Sequence, residues 1–159
     1  MRSGARAGAL LGAGVLLLTL PACGGTQDTD RTKVAGHEGK AADTSTCAAD
    51  ATALSTPYGG QFPDAWPFPE ETTVYDVEDR GDQGTIVTAI STAPFQKILD
   101  FLNHEVVAAG FRVESGETEK HDAEAEWAGN GHRGRWTIRE SANCPGETVM
   151  QVLAAEGTG

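Results

Sequence analysis

Hydrophobic positions divide the chain into three stretches. Ala7 to Leu20 is an almost unbroken apolar run, Gly24 to about Thr46 holds one sizeable apolar residue, Val34, and from Cys47 onward apolar residues recur with the periods of regular structure. In the third stretch TTVYDVED from Thr72 and GTIVTAIS from Gly84 alternate as strands joined at Arg80-Gly81-Asp82-Gln83. With those four residues as the loop, Val77 faces Ile86 and Tyr75 faces Thr88. Phe95, Ile98, Leu99, Leu102, Val106 and Ala109 then repeat at helical spacing, with Ser91 or Thr92 as cap, Pro94 in the first turn and Gly110 as the stop. Phe111-Arg112-Val113-Glu114 alternates as a strand, and Thr148 to Ala154 is the last one.

Between them Asn130-Gly131 is the preferred pair of a two-residue type I′ turn. Folding there sets Glu126 opposite Arg135, Glu124 opposite Thr137 and Asp122 opposite Arg139. On the other face Trp127 meets Gly134, Ala125 meets Trp136 and Ala123 meets Ile138, so each tryptophan has a small neighbour. The fold class that follows is α+β: one helix packed on a mostly antiparallel sheet of about five strands, in the order β-β-α-β-β-β. Pro57, Pro63, Pro67 and Pro69 exclude a regular helix or central strand over residues 57–69. Tyr58, Phe62, Trp66 and Phe68 in that lead are expected to cover the core, the alternative being an exposed aromatic platform for a ligand or carbohydrate.

The first stretch changes where this domain is expected to work. Arg2 and Arg6 precede the apolar run, and Leu20-Pro21-Ala22-Cys23 resembles the bacterial lipobox, in which cleavage follows lipidation of the cysteine thiol. The run is shorter than the about 20 apolar residues a spanning helix needs and matches the about 7 to 15 of a signal core. An ordinary signal peptide cut elsewhere and an uncleaved anchor are the competing readings. Residues 1–22 are thus expected to be a signal peptide, and 23–46 a lipidated N-terminus and disordered tether. Residues 47–159 form the globular domain, with its core over about 70–155. A flexible tether of this length reaches roughly 25 Å. Membrane contact is expected through lipid on Cys23, and the chain is expected at the extracytoplasmic face as a monomer.

The lipobox also settles the cysteine count. With Cys23 lipidated, Cys47 and Cys144 remain to pair outside the cytoplasm. They close a loop of roughly 100 residues, for which the chain-entropy model gives about 4 to 5 kcal/mol. No CxxC or HxxxH spacing accompanies them, so neither metal nor cofactor is expected. Without Arg2 and Arg6, ten basic residues face 23 acidic ones, a formal charge of −13. That charge repels nucleic acid and anionic lipid head groups, and otherwise keeps a tethered domain soluble.

Asp122, Glu124 and Glu126 share one strand face and are the best candidates for chemistry. Aligned carboxylates hold calcium or supply the acid and base of a glycosidase. The arginines opposite favour a charge-paired sheet surface instead. His104 sits off the helix's apolar stripe, and His121 and His132 fall at opposite ends of the hairpin, so they cannot share a metal within it. Arg80-Gly81-Asp82 spells an adhesion-receptor sequence but is also turn chemistry. Neither GxSxG, HExxH nor a phosphate-binding glycine loop occurs. No catalytic residue is expected.

LPAC, the Pro-rich lead, a helix ending Ala-Gly-Phe, Glu124-Ala-Glu126-Trp127 with Gly129, Gly131, Gly134-Arg135-Trp136, and Cys144-Pro145-Gly146 together resemble small, uncharacterised lipoproteins of actinobacteria. The resemblance covers residues 66–154 and the lipobox. It implies location and architecture and brings no reaction, ligand or partner. The leading expectation is a noncatalytic module binding an envelope protein partner through the sheet face away from the helix or through the aromatic lead. The alternatives are a small-ligand carrier or sensor, and a wall-polymer hydrolase working through Glu124 or Glu126.

Overall fold

Both residues of the Asn130-Gly131 turn stand in the left-handed region, at φ 51° and 77°, as a type I′ turn requires. In the computed structural model, which describes residues 46–157, this turn joins β4 (Asp122–Gly129) to β5 (His132–Glu140). Every predicted pair of this hairpin forms: Glu126 with Arg135, Glu124 with Thr137, Asp122 with Arg139, Trp127 with Gly134, Ala125 with Trp136 and Ala123 with Ile138. The signal segment, Cys23 and the tether to residue 45 lie outside the described residues. Among the described residues no helix is long and apolar enough to cross a membrane.

The first hairpin departs from expectation. β1 (Thr72–Asp79) and β2 (Thr85–Ser91) are joined by residues 80–84, which contain a 3-10 turn over Gly81–Gln83. Gly84, at φ 103°, leaves the strand and closes the turn, its N–H donating to the Gly81 carbonyl at 3.0 Å. Val77 therefore pairs with Val87 and Asp76 with Thr88, while Tyr75 falls in a bulge between Val74 and Asp76. The bulge keeps Val74 and Val77, three residues apart, on the same inner face; an unbroken period-two strand would separate them.

The sheet has six strands rather than about five, in the order β1-β2-β6-β5-β4-β3, with all neighbours antiparallel. The strand expected at Phe111–Glu114 continues to Thr118 as β3 (Phe111–Thr118) along one edge; β6 is Thr148–Glu156. A second irregularity, between Val113 and Gly116, sets Gly116 opposite Ala125.

Helix α1 (Phe95–Ala108) starts one residue later than proline at its first turn would place it. Pro94 is the N-cap, with extended backbone, and no side chain caps the helix. The Ser91 hydroxyl instead donates to the Glu71 carbonyl at 2.9 Å and accepts the Ala93 N–H at 3.2 Å, fixing the entry into the helix. Phe95, Ile98, Leu99, Leu102 and Val106 are the buried stripe. They pack with Val74, Val87, Trp127, Trp136, Ile138, Met150 and Val152 on the inner face of the sheet. Each large side chain so buried contributes about 1.5 to 3 kcal/mol.

The 57–69 lead covers the rest of that face. Phe62 and Trp66 are buried, and the Trp66 ring lies 4.5 Å from Trp127 and 5.1 Å from Phe111, centroid to centroid. Tyr58 packs edge-on against Phe62 and Phe68. The exposed-platform alternative therefore fails. Gln61 ties the lead to the sheet: its N–H donates to the Thr85 hydroxyl at 2.9 Å and its side-chain oxygen accepts the Glu156 N–H at 2.8 Å.

Cys47 and Cys144 are disulfide-bonded, with Cα atoms 5.7 Å apart. Beside the bridge the Ala48 N–H donates to the Glu147 carboxylate at 2.9 Å. After Cys47 the chain makes a single turn, with the N–H groups of Asp50 and Ala51 both on the Cys47 carbonyl. The chain then reaches β1, where the Leu54 N–H donates to Val74 at 2.8 Å. On the sheet face away from the helix, the paired residues Ile90 and Val149 are buried.

Gly134 is the residue this packing tolerates least to lose. A Cβ there would stand 2.9 Å from the Trp127 ring and collide with the Leu153 carbonyl. Gly134→Ala is expected to lower stability by about 1 to 3 kcal/mol, the usual cost of overpacking. Urea unfolding followed by tryptophan fluorescence measures it, and an unchanged midpoint would refute the packing described.

Candidate functional site

The pleat that buries Ala123, Ala125 and Trp127 sends Asp122, Glu124 and Glu126 to the outer face. Through the same register that face gathers Arg133, Arg135 and Arg139 of β5, Leu153 and Ala155 of β6, and Ile86 of β2. An acidic column thus runs beside a basic one, with an apolar column beyond.

The charges pair, though not always straight across. Arg139 Nη2 lies 3.5 Å from Asp122 Oδ2. Arg135, opposite Glu126 in the ladder, leans diagonally so that its Nη1 lies 3.4 Å from Glu124 Oε2. Glu126 instead accepts the Ser115 hydroxyl at 3.4 Å. The expectation that Arg135 would serve Glu126 is corrected by this diagonal, which the irregularity in β3 permits by bringing Ser115 beside Glu126. Exposed pairs of this kind are worth about 0 to 1 kcal/mol each, so they shape the surface more than they stabilise it.

This arrangement has limited chemistry. A guanidinium beside Asp122 and another beside Glu124 compete with any cation for the same oxygens. Glu124 and Glu126 are also exposed, unlike the apolar-pocket carboxylic acids that serve as proton donors in glycosidases.

The histidines stay apart. His121 Nδ1 meets Glu140 Oε2 at 2.7 Å at the hairpin base, while His132 Nδ1 meets the Asn130 carbonyl at 2.9 Å by the turn. His104 Nδ1 meets the Asp100 carbonyl at 2.7 Å on the exposed side of α1. Cys47, Cys144 and Glu147 converge within reach of a single ion. Their sulfurs are bonded to each other and Glu147 accepts the Ala48 N–H, so this cluster is the staple of the fold.

Three open depressions mark the β3 side. One of about 220 Å³ is lined by Ser115, Glu117, Glu124, Glu126 and Arg135. One of about 180 Å³ lies between α1 and the irregular part of β3, against Leu99, Asn103, Val113 and Trp136. The largest, about 360 Å³, is lined by Glu114, Glu126, Arg133, Leu153 and Ala155. Only this last reaches the roughly 300 to 1,000 Å³ range usual for ligand sites. Arg133, Leu153 and Ala155 carry no motif. Their meeting depends on the β5–β6 register, which the Ser141–Glu147 connection does not announce in sequence.

The Arg-Gly-Asp segment is occupied as a turn. Arg80 Nη2 donates to Glu78 Oε2 at 2.9 Å, the Gly81 N–H donates to Asp79 at 2.9 Å, and Gln61 Nε2 donates to the Gly81 carbonyl at 2.9 Å.

No protein family matches this chain, and neither a curated protein nor a solved structure is detectably similar to it.

The Arg80 hydrogen bond, and secondarily its charge, lowers the pKa of Glu78 from its ordinary value. A depressed folded value means that this carboxylate stabilises the fold above its unfolded pKa and loses that contribution as pH falls through the folded one. In Arg80→Ala the Glu78 midpoint should rise toward an ordinary glutamate, read by side-chain NMR titration. An unmoved midpoint would show that the Arg80–Glu78 bond is absent in solution.

Proposed function

We propose that this chain is an extracytoplasmic lipoprotein, anchored through lipid on Cys23, whose domain is noncatalytic and binds a protein partner at the cell envelope through the outer sheet face. The supporting observation is the unequal covering of the sheet. Helix and aromatic lead bury its inner face, and at one end of the outer face the paired Ile90 and Val149 are buried. Toward the other end Ile86, Leu153 and Ala155 are only half-buried, beside both charge columns. Apolar surface rimmed by charge is the common composition of a protein interface. The Cys47–Cys144 bond supports an oxidising compartment, and the acidity of the domain holds it off anionic lipid and excludes nucleic acid as a partner.

The small-ligand alternative draws on the 360 Å³ depression alone, which is open rather than enclosed between helix, sheet and lead. A wall-polymer hydrolase draws on Glu124 and Glu126, whose neighbours are a guanidinium and a hydroxyl.

Native mass spectrometry of the protein released gently from its own membrane separates these readings. The denatured mass should include lipid on residue 23 and lack two protons for the bridge, and the native spectrum should show added mass of protein size. An adduct of a few hundred daltons would replace the module with a carrier, and a bare monomer would contradict a stable partner.

A further inference from the structure

We infer that the partner docks an extended segment carrying an acidic and a basic side chain two residues apart, seated in the depression bounded by Glu114, Glu126 and Arg133. This rests on the reading of the chain as a protein-binding module and specifies the chemistry of that partner.

The depression has walls of opposite sign. Glu114, from the irregular part of β3, and Glu126, from β4, stand on one side; Arg133, from β5, stands on the other, with Leu153 and Ala155 of β6 beyond. Internal partners leave part of this charge unused. Glu114 accepts from Arg112 at 3.2 Å, and among the described residues the Glu126 carboxylate accepts only the Ser115 hydroxyl, at 3.4 Å. The exposed side chain of Arg133, three residues past Asn130, has no hydrogen bond or ion pair among the described residues. A guanidinium presents a rigid fork of donors matched to a carboxylate, so Arg133 selects an acid from the partner. Glu126 selects a base.

The spacing of that acid and base follows from the ladder. Glu126 is directly opposite Arg135, so Arg133 is its diagonal neighbour. Diagonal neighbours lie about 7 to 8 Å apart. Side chains two residues apart on one face of an extended segment repeat every roughly 7 Å. An acidic-x-basic segment therefore meets both groups at once, and an apolar neighbour covers Leu153 and Ala155. A purely anionic polymer would face Glu114 and Glu126, and a purely basic one would face Arg133, so a mixed-charge partner is what this surface accepts.

The test installs a photo-crosslinking diazirine amino acid in place of Leu153 in the full-length chain in its native membrane. The same residue in place of Val107, exposed on α1, is the comparison. The inference predicts a discrete protein cross-link at position 153 and none at 107. Arg133→Glu or Glu126→Lys should each cut its yield roughly tenfold, as like-charge juxtaposition does at interfaces, while Lys120→Glu leaves it unchanged. Urea midpoints equal to the parent chain's keep folding out of the comparison. A cross-link that ignores both reversals, or that forms equally at 107, overturns the docking site and leaves the module standing. Absence of any protein cross-link at either position overturns both.

Discussion

The register of the β4–β5 hairpin is the constraint on which the remaining structure depends. Asn130 and Gly131 accept positive φ, the turn they form admits one alignment, and that alignment puts Trp127 against Gly134 and Ala125 against Trp136. A slip of one residue would move both tryptophans to the water side and carry Glu124 and Glu126 into the core. The correct alignment lets Trp66 and Phe111 close over Trp127, which joins the aromatic lead to the sheet. One turn thus fixes core and surface together, and the charge columns of the outer face are the other side of the pleat that builds the core.

How much of this could be read from the residues depended on whether a local rule sufficed. The second hairpin was legible because Asn-Gly has one strong preference and both strands alternate cleanly on each face. The first was not, since Gly84 belongs to the turn rather than to the strand, and the bulge at Tyr75 that compensates leaves no mark in a period-two pattern. β3 was seen only as far as Glu114, where the second irregularity interrupts its alternation. The aromatic lead was legible through its prolines and rings. The Cys47–Cys144 pairing followed from counting once Cys23 was assigned to lipid, and the bridge is present. The meeting of Arg133 with Leu153 and Ala155 was not legible, because it needs the β5–β6 register across a connection without turn chemistry of its own.

The two bulges have a functional side as well. Each lies in an edge strand and keeps inward residues inward while breaking the regularity of the free edge, the device by which sheets avoid pairing edge to edge. Both edges are irregular and the inner face is occupied, whereas Ile86, Leu153 and Ala155 of the outer face are only half-buried. The disulfide and the Ala48–Glu147 hydrogen bond fix the start of the described chain beside the connection between β5 and β6.

The claim that this face receives a protein is tested most directly by hydroxyl-radical footprinting of the chain in its native membrane and again after purification. The account predicts that oxidation of Leu153 and Ile86 falls in the membrane, while that of Leu54 and Val107, the exposed apolar residues elsewhere on the domain, stays constant. Equal oxidation of Leu153 and Ile86 in the two preparations would contradict it.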